Sequence, residues 1–208
     1  PETKAGTIAS GAYPKILSFI RANKIKVVAI GPGLSHYKNV STLVRKLVAN
    51  IPVPMVLDAD GLNVFKGHQK QLKKHRAPLV LTPHRGEFER LFGEKWPENK
   101  IIRTALAKKL SKFYHVTIVL KGHHTLVVDD DEVYENFTGN PALAKAGSGD
   151  VLTGILAAFL AQGLIPFKAA CWAVYFHGKA GDLAAKAKSE LSVLASDVIE
   201  YLPKTFLL

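Results

Sequence analysis

Sulfur and acidic side chains are both scarce in this sequence. Of 208 residues, one is cysteine, Cys171. No disulfide can therefore form within the chain, and a reducing, cytoplasmic setting is the expectation. The one methionine is Met55, and the chain opens on Pro1, so processing or truncation of a longer product is also expected. No signal peptide is visible. The longest apolar run, 151–161, is interrupted by Thr153 and Gly154 and falls short of the roughly 20 residues that a spanning helix needs. Repeats, low-complexity stretches and linkers are absent, so residues 1–208 read as one domain, or as the larger part of a longer one.

Acids number 17 against 28 lysines and arginines, a formal charge of +11. Much of the excess lies in short clusters at 70–76 (KQLKKHR) and 108–112 (KKLSK). Around the second, Ile102, Leu106, Leu110 and Phe113 fall on one helical stripe and leave Lys108 and Lys112 on other faces. Solvated helix faces account for such clusters, and a positive surface also gathers small phosphate-bearing molecules. There is no aromatic stacking platform or groove-reading motif, so neither a nucleic-acid nor a membrane partner is expected.

What is present is a rhythm of strand, loop and helix. Short apolar strands are expected at 26–30, 54–58, 78–82 and 116–120. Between them, helices are expected from Val40 through Val48, in a short stretch ending at Leu72, from the PHRGEF segment to Gly93, and over 100–113. Connections this short imply a parallel sheet with right-handed crossovers. After Leu120 the pattern changes to an antiparallel edge hairpin (TLVVD, EVYENF). Helices follow at 149–162, 166–188 and 195–202. The fold class is thus α/β, a three-layer α/β/α arrangement with a helical C-terminal third.

In such sheets ligands bind beyond the carboxyl ends of the strands. Polar, glycine-rich loops recur there, at 31–35, 58–63, 82–87 and 121–125. At the head of the helix near 149, Gly147, Ser148 and Gly149 precede Asp150. A helix N-terminus offers free N–H groups to an anion, and glycines admit a phosphate close to the backbone. The same positive field suits a carboxylate positioned to take a proton from a substrate hydroxyl. The competing reading makes Asp150 an ordinary cap. Neither a Walker A motif nor a GxGxxG fingerprint occurs. His84 and Glu87 share one face of a helix start, where the acid can serve Mg²⁺ or a water and the histidine an anion; helix capping explains them equally. Asp58 and Asp60 are read as metal-directed or as turn formers. His123 and His124 lack zinc spacing.

Taken in order, GPGLS, VLDADGLN, LTPHRGEFERLFG, VLKGHHT, GNPALAKAGSGDVLTGILAAFLAQGL and HGKAGD resemble the ATP- or ADP-dependent NAD(P)H-hydrate dehydratases of the ribokinase-like superfamily. The resemblance covers about residues 26–182. It implies a metabolite-repair reaction in which the hydroxyl of hydrated NADH or NADPH is phosphorylated, with Mg²⁺, and phosphate then leaves. Asp150 would be the base, and Gly147, Ser148 and Gly149 the anion hole. Lys121, Gly122, Thr125, Asn140 and Lys145 would border the nucleotide. Gly33, His84, Glu87 and Arg90 would meet the hydrated cofactor, with Glu87 near Mg²⁺ through phosphate.

The sequence also departs from the family pattern. Lys145 and Ala146 replace the common Thr and Gly, GPGLS replaces GPGLG, and His84 stands where many related kinases carry Asn. Family members also carry an upstream segment. Its absence here suggests a cleaved, disordered or separately supplied piece, and leaves a sheet edge unpaired. A homo-oligomer and a fused or separate epimerase partner are implied by the family. The alternatives are a ribokinase-like kinase of a small alcohol and a catalytically inactive adenine-nucleotide-binding module.

Overall fold

The computed structural model describes residues 1–35 and 37–207. The elements follow in chain order: α1 (Tyr13–Ala22), β1 (Val28–Ile30), α2 (Lys38–Val48), β2 (Met55–Leu57), α3 (Asp60–Asn63), β3 (Leu79–Leu81), α4 (Arg85–Phe92), α5 (Lys100–Tyr114), β4 (Thr117–Leu120), β5 (Leu126–Asp129), β6 (Glu132–Glu135), α6 (Ser148–Ala161), α7 (Pro166–Lys188) and α8 (Ala195–Tyr201). The six strands form one sheet in sequence order. β1 to β4 run parallel, and β5 and β6 return antiparallel as the expected hairpin.

Side-chain alternation builds the three layers. Met55 and Leu57, Leu79 and Leu81, Ile118 and Leu120, and Leu126 and Val128 face one core with residues of α1, α2, α4 and α5. Val56, Val80, Val119 and Val127 face the other, against α6 and α7. Both faces are covered, which is why these strands read as unbroken apolar runs.

Two expectations change. No element was foreseen before residue 26, yet α1 forms there, with Tyr13, Ile16, Leu17 and Ile20 at helical spacing against the core. The helical stretch foreseen to end at Leu72 is instead the four-residue α3 and a 3₁₀ turn, Gln69–Lys74. Gly67, at φ +74°, separates them. Among the described residues, β1 is paired only with β2. Val28 donates to Pro54 and Ile30 accepts from Asp58, so both face β2 and the intervening Ala29 faces the open edge.

Candidate active site

The strand ends gather a charged network. Asp58 follows β2 and is 1% exposed. Its Oδ1 accepts from Lys121 Nζ at 2.7 Å, and its Oδ2 from Thr153 Oγ1 at 2.8 Å. Lys121 follows β4, and its backbone N–H donates to Pro83 O. Its ammonium also lies 3.6 Å from Glu87 Oε2. The ends of β2, β3 and β4 are thereby tied through one half-buried ammonium, and Asp58 links them to the second turn of α6.

Glu87 is committed twice over. Its Oε2 accepts from the backbone N–H of His84 at 2.9 Å, half of a capping box on α4. Its Oε1 lies 3.2 Å from His84 Nε2. His84 Nδ1 accepts from the N–H groups of Gly86 and Glu87, which fixes the proton on Nε2, facing Glu87. His84 therefore serves as a cap through Nδ1, while its Nε2 faces Glu87 and half of its side chain is exposed. Asp60, read as metal-directed or as a turn former, accepts from the N–H of Ser35 at 2.7 Å and ties that loop down. Among the described residues there is no group of three or more metal-ligating side chains.

The glycine-rich loop leads into α6. Gly147, its N-cap, adopts φ +85°, a conformation that glycine takes without strain. A Cβ at Gly149 would sit 3.3 Å from Lys121 Nζ, so glycine there lets the helix start approach the ion pair. Val151 N–H bonds Gly147 O and Ser148 N–H bonds Lys145 O. The N–H groups of Gly149 and Asp150 have no backbone partner among the described residues. These are the orphan donors that a helix start offers.

His177, on α7, fixes this turn from behind. Its Nε2 lies 3.0 Å from Ser148 O and 3.2 Å from Ser148 Oγ. Burial pushes its pKa down to about 4, so it is neutral, and the Nε2–H donates to Ser148. The unfolded chain takes up that proton near 6.5 and the native one only near 4. The stability that His177 contributes is therefore complete above about pH 6.5 and lost as pH falls toward 4, by roughly 3 kcal/mol over the window. Denaturant titrations of the natural chain and of His177→Gln at pH 7 and pH 4.5 should show the natural chain losing more stability on acidification. Equal losses would remove His177 from the account.

The remaining wall comes from the segment before α6 and from α7. Asn140 Oδ1 caps a 3₁₀ turn by accepting from Ala142 N–H, and its Nδ2 donates to Asp182 Oδ1 at 2.9 Å. Gly139 N–H donates to Asp182 Oδ2. Gly178 and Gly181 let α7 close on this segment, since a Cβ at Gly178 would lie 2.1 Å from Thr138 Oγ1. Thr125 Oγ1 donates to Gly122 O at 2.9 Å and closes the turn after β4. His123 and His124 stack at 4.0 Å, and Phe137 packs edge-on to His124.

These parts enclose a cavity of about 760 Å³. Its lining brings together Asp150, Ser148, Gly149, Lys121, Gly122, Thr125 and Asn140, with His84 and Glu87. Three carboxylates line it: Asp58, Glu87 and Asp150. Asp58 accepts a hydrogen bond at each oxygen, and Glu87 accepts one at Oε2 while its Oε1 faces His84 Nε2. Asp150, exposed on the first turn of α6, has no hydrogen bond or ion pair among the described residues.

Residues 9–204 match the model of the NAD(P)H-hydrate dehydratase family. The chain belongs to that family. It is 42% identical over 204 residues to a bifunctional NAD(P)H-hydrate repair enzyme of Moorella thermoacetica, covering 98% of this chain and 38% of the relative. It is 39% identical over 180 residues to an ADP-dependent (S)-NAD(P)H-hydrate dehydratase of Neisseria meningitidis, covering 82% of this chain and 61% of that one. The chain thus spans less than two thirds of the length of these curated relatives. Among solved structures, the ADP/ATP-dependent NAD(P)H-hydrate dehydratase of Bacillus subtilis, co-crystallised with ATP and Mg²⁺, superposes with a TM-score of 0.75 at 30% identity, over 95% of this chain and 76% of that one. The fold is ribokinase-like.

Within this NAD(P)H-hydrate dehydratase family member, four expected site residues stand apart, the first being Gly147, which caps α6 without entering the cavity lining. Lys145 borders the cavity, but its ammonium donates to the carbonyls of Glu190 (3.3 Å), Leu191 (3.0 Å) and Val193 (2.5 Å). It is a brace for the turn before α8, which corrects the expectation of an extra phosphate-binding cation. Gly33 is not in the lining; it lies exposed at φ +72° in the loop after β1. Arg90 also lies outside, with its Nε donating to Asn63 Oδ1 at 3.0 Å. Conversely, Thr153 and Asp182 were missed. Each acts on a partner tens of residues away, and a lone Thr inside an apolar helix or an Asp inside α7 carries no local signal. Asp58 and His177 were visible in the sequence without their partners.

Proposed function

We propose that this chain carries out nucleotide-dependent dehydration of hydrated NADH or NADPH. The observation that carries the reading is the contrast among the cavity's acids: Asp150 is uncommitted while Asp58 and Glu87 are fully engaged. A base needs a free oxygen within reach of the proton it accepts. Asp150 offers one beside two unpaired backbone N–H groups, so a hydroxyl can lose its proton where a phosphoryl group is held.

In the reaction, the ring hydroxyl attacks the terminal phosphorus of ADP or ATP, and its proton passes to Asp150. The shortened nucleotide departs. The carbon–oxygen bond then breaks, phosphate leaves with its electron pair, the adjacent ring carbon gives up a proton to the solvent, and the ring double bond is restored. The amides of Gly149 and Asp150, with the Ser148 hydroxyl, hold the transferred group. His177 already donates to Ser148, so the hydroxyl proton of Ser148 is available to the cavity. The 760 Å³ space suits a nucleotide and a nicotinamide together. A magnesium ion would supply charge neutralisation on the phosphates. With Glu87 committed, its ligands here would be phosphate oxygens and water, and Glu87 would act through one such water.

Cytoplasmic placement accords with the lone cysteine, and no described helix is long and apolar enough to cross a membrane. The test of function is recovery of 340 nm absorbance from hydrated NADH when ADP or ATP and Mg²⁺ are added. The expected result is recovery with at least one nucleotide. Its absence with either nucleotide, with nucleotide still bound, would replace the reading with that of a binding module.

A further inference from the structure

Arg90 lies in a second cleft, of about 530 Å³, where α2, α3 and α4 meet. The charges lining it are of one sign. Lys38, Arg45, Lys66 and Arg90 contribute, with His68 beside them, and no carboxylate does. Lys38 and Lys66 are exposed and make no ion pair among the described residues. Arg45 Nη1 donates to Val64 O at 2.7 Å, and burial without an offsetting acid pulls its pKa below the usual arginine value. Each guanidinium keeps further N–H donors beyond its single bond here.

A second feature points the same way. The first turn of α2 borders the cleft through Lys38 and Ser41. Its N-cap, Tyr37, provides no side-chain cap, and no acid stands in that turn. An uncapped helix start adds orphan N–H groups and a positive dipole end to four cations. Nothing in the cleft's own lining balances this field, so the missing charge is that of a ligand.

The position fits one molecule in particular. Arg90 lies six residues beyond His84, about 9 Å along the axis of α4, and His84 lines the cavity with Asp150. A dinucleotide whose nicotinamide end lies in that cavity is long enough to extend past α4. We infer that the cleft holds the phosphomonoester of a phosphorylated dinucleotide, so that the chain prefers the hydrate of NADPH over that of NADH. The inference rests on the dehydratase reading for its substrate and on the cleft alone for its phosphate.

The test pairs binding with kinetics in the double variant Lys38→Glu, Lys66→Glu, at two exposed positions. Calorimetric titration with 2′,5′-ADP is done with 5′-ADP saturating, so that the nucleotide cavity is filled. The unaltered chain should bind 2′,5′-ADP, and the variant should bind it about tenfold more weakly or worse, because charge-assisted contacts become repulsive ones. The ratio of kcat/KM for NADPH hydrate to that for NADH hydrate should fall by about the same factor. Equal 2′,5′-ADP affinity in the two chains, or an unchanged ratio, overturns the inference. So does displacement of 2′,5′-ADP by inorganic phosphate at equal concentration, which would leave a plain anion site. If the unaltered chain turns over neither hydrate yet its 2′,5′-ADP binding depends on the two lysines, the dehydratase reading fails while the cleft stands as a phosphomonoester site.

Discussion

Asp150→Asn should lower kcat for hydrate dehydration by about 10²–10⁴-fold, the range that a positioned general base supplies, with nucleotide affinity changed only a few-fold. The substitution keeps size and shape, so it removes the proton acceptor and little else. Stability should move by no more than about 1 kcal/mol, since an exposed acid in a first helical turn contributes at most that much through the dipole. Asp150 has no partner to strand when it is changed. This separates it from the other acids of the cavity, whose loss disturbs the fold before it disturbs chemistry. The measurement is 340 nm recovery under saturating nucleotide, set beside thermal unfolding of the same preparation. A variant retaining activity within tenfold of the natural chain would mean that the base lies elsewhere. Glu87 and Asp58 would both be poor replacements, because Asp58 is bonded through both oxygens and Glu87 has one oxygen bonded and the other facing His84.

The parts of this molecule that were legible in the sequence share a physical cause: each is local. The buried strands β2, β3 and β4 announce themselves because both faces of the sheet are covered there. Gly93 marks the end of α4 because a left-handed C-cap favours glycine. Gly147 to Asp150 is legible as a glycine-capped helix start because the loop and the helix are contiguous. What stayed hidden is non-local. Asp58 reads as metal-directed or as a turn former, and its partners Lys121 and Thr153 lie 63 and 95 residues away. Lys145 looked like a phosphate ligand because a cation in a glycine-rich loop usually faces the ligand; the carbonyls that hold it lie 45 to 48 residues on. Arg90 sits on the same short helix as His84, and only the packing of α2 beside α3 shows that it opens into a different cleft. Helix α1 is the exception. Its spacing is regular, but its one fully buried residue is Ile20, so the apolar stripe is weak beside the charged residues around it.

Lys121→Met should cost about 3–5 kcal/mol of stability, because removing one member of a buried ion pair strands the other charge. Asp58 is 1% exposed and would keep only the Thr153 hydroxyl. For a chain of this length the loss corresponds to a fall in Tm of about 10 °C. The double variant Lys121→Met, Asp58→Leu should recover a large part of that loss, since a well-packed apolar pair of similar volume is often no worse than the buried ions it replaces. Activity should behave differently. The double variant should remain strongly impaired, because Lys121 also lies 3.6 Å from Glu87 and beside Gly149, and so sets the charge and the spacing of the phosphate loop. Stability restored without activity would place the pair in the chemistry as well as in the fold. If both recover together, Lys121 is a structural brace and the cavity works without its charge. If Lys121→Met leaves Tm unchanged, water reaches Asp58 readily and the pair is not the buried link drawn here.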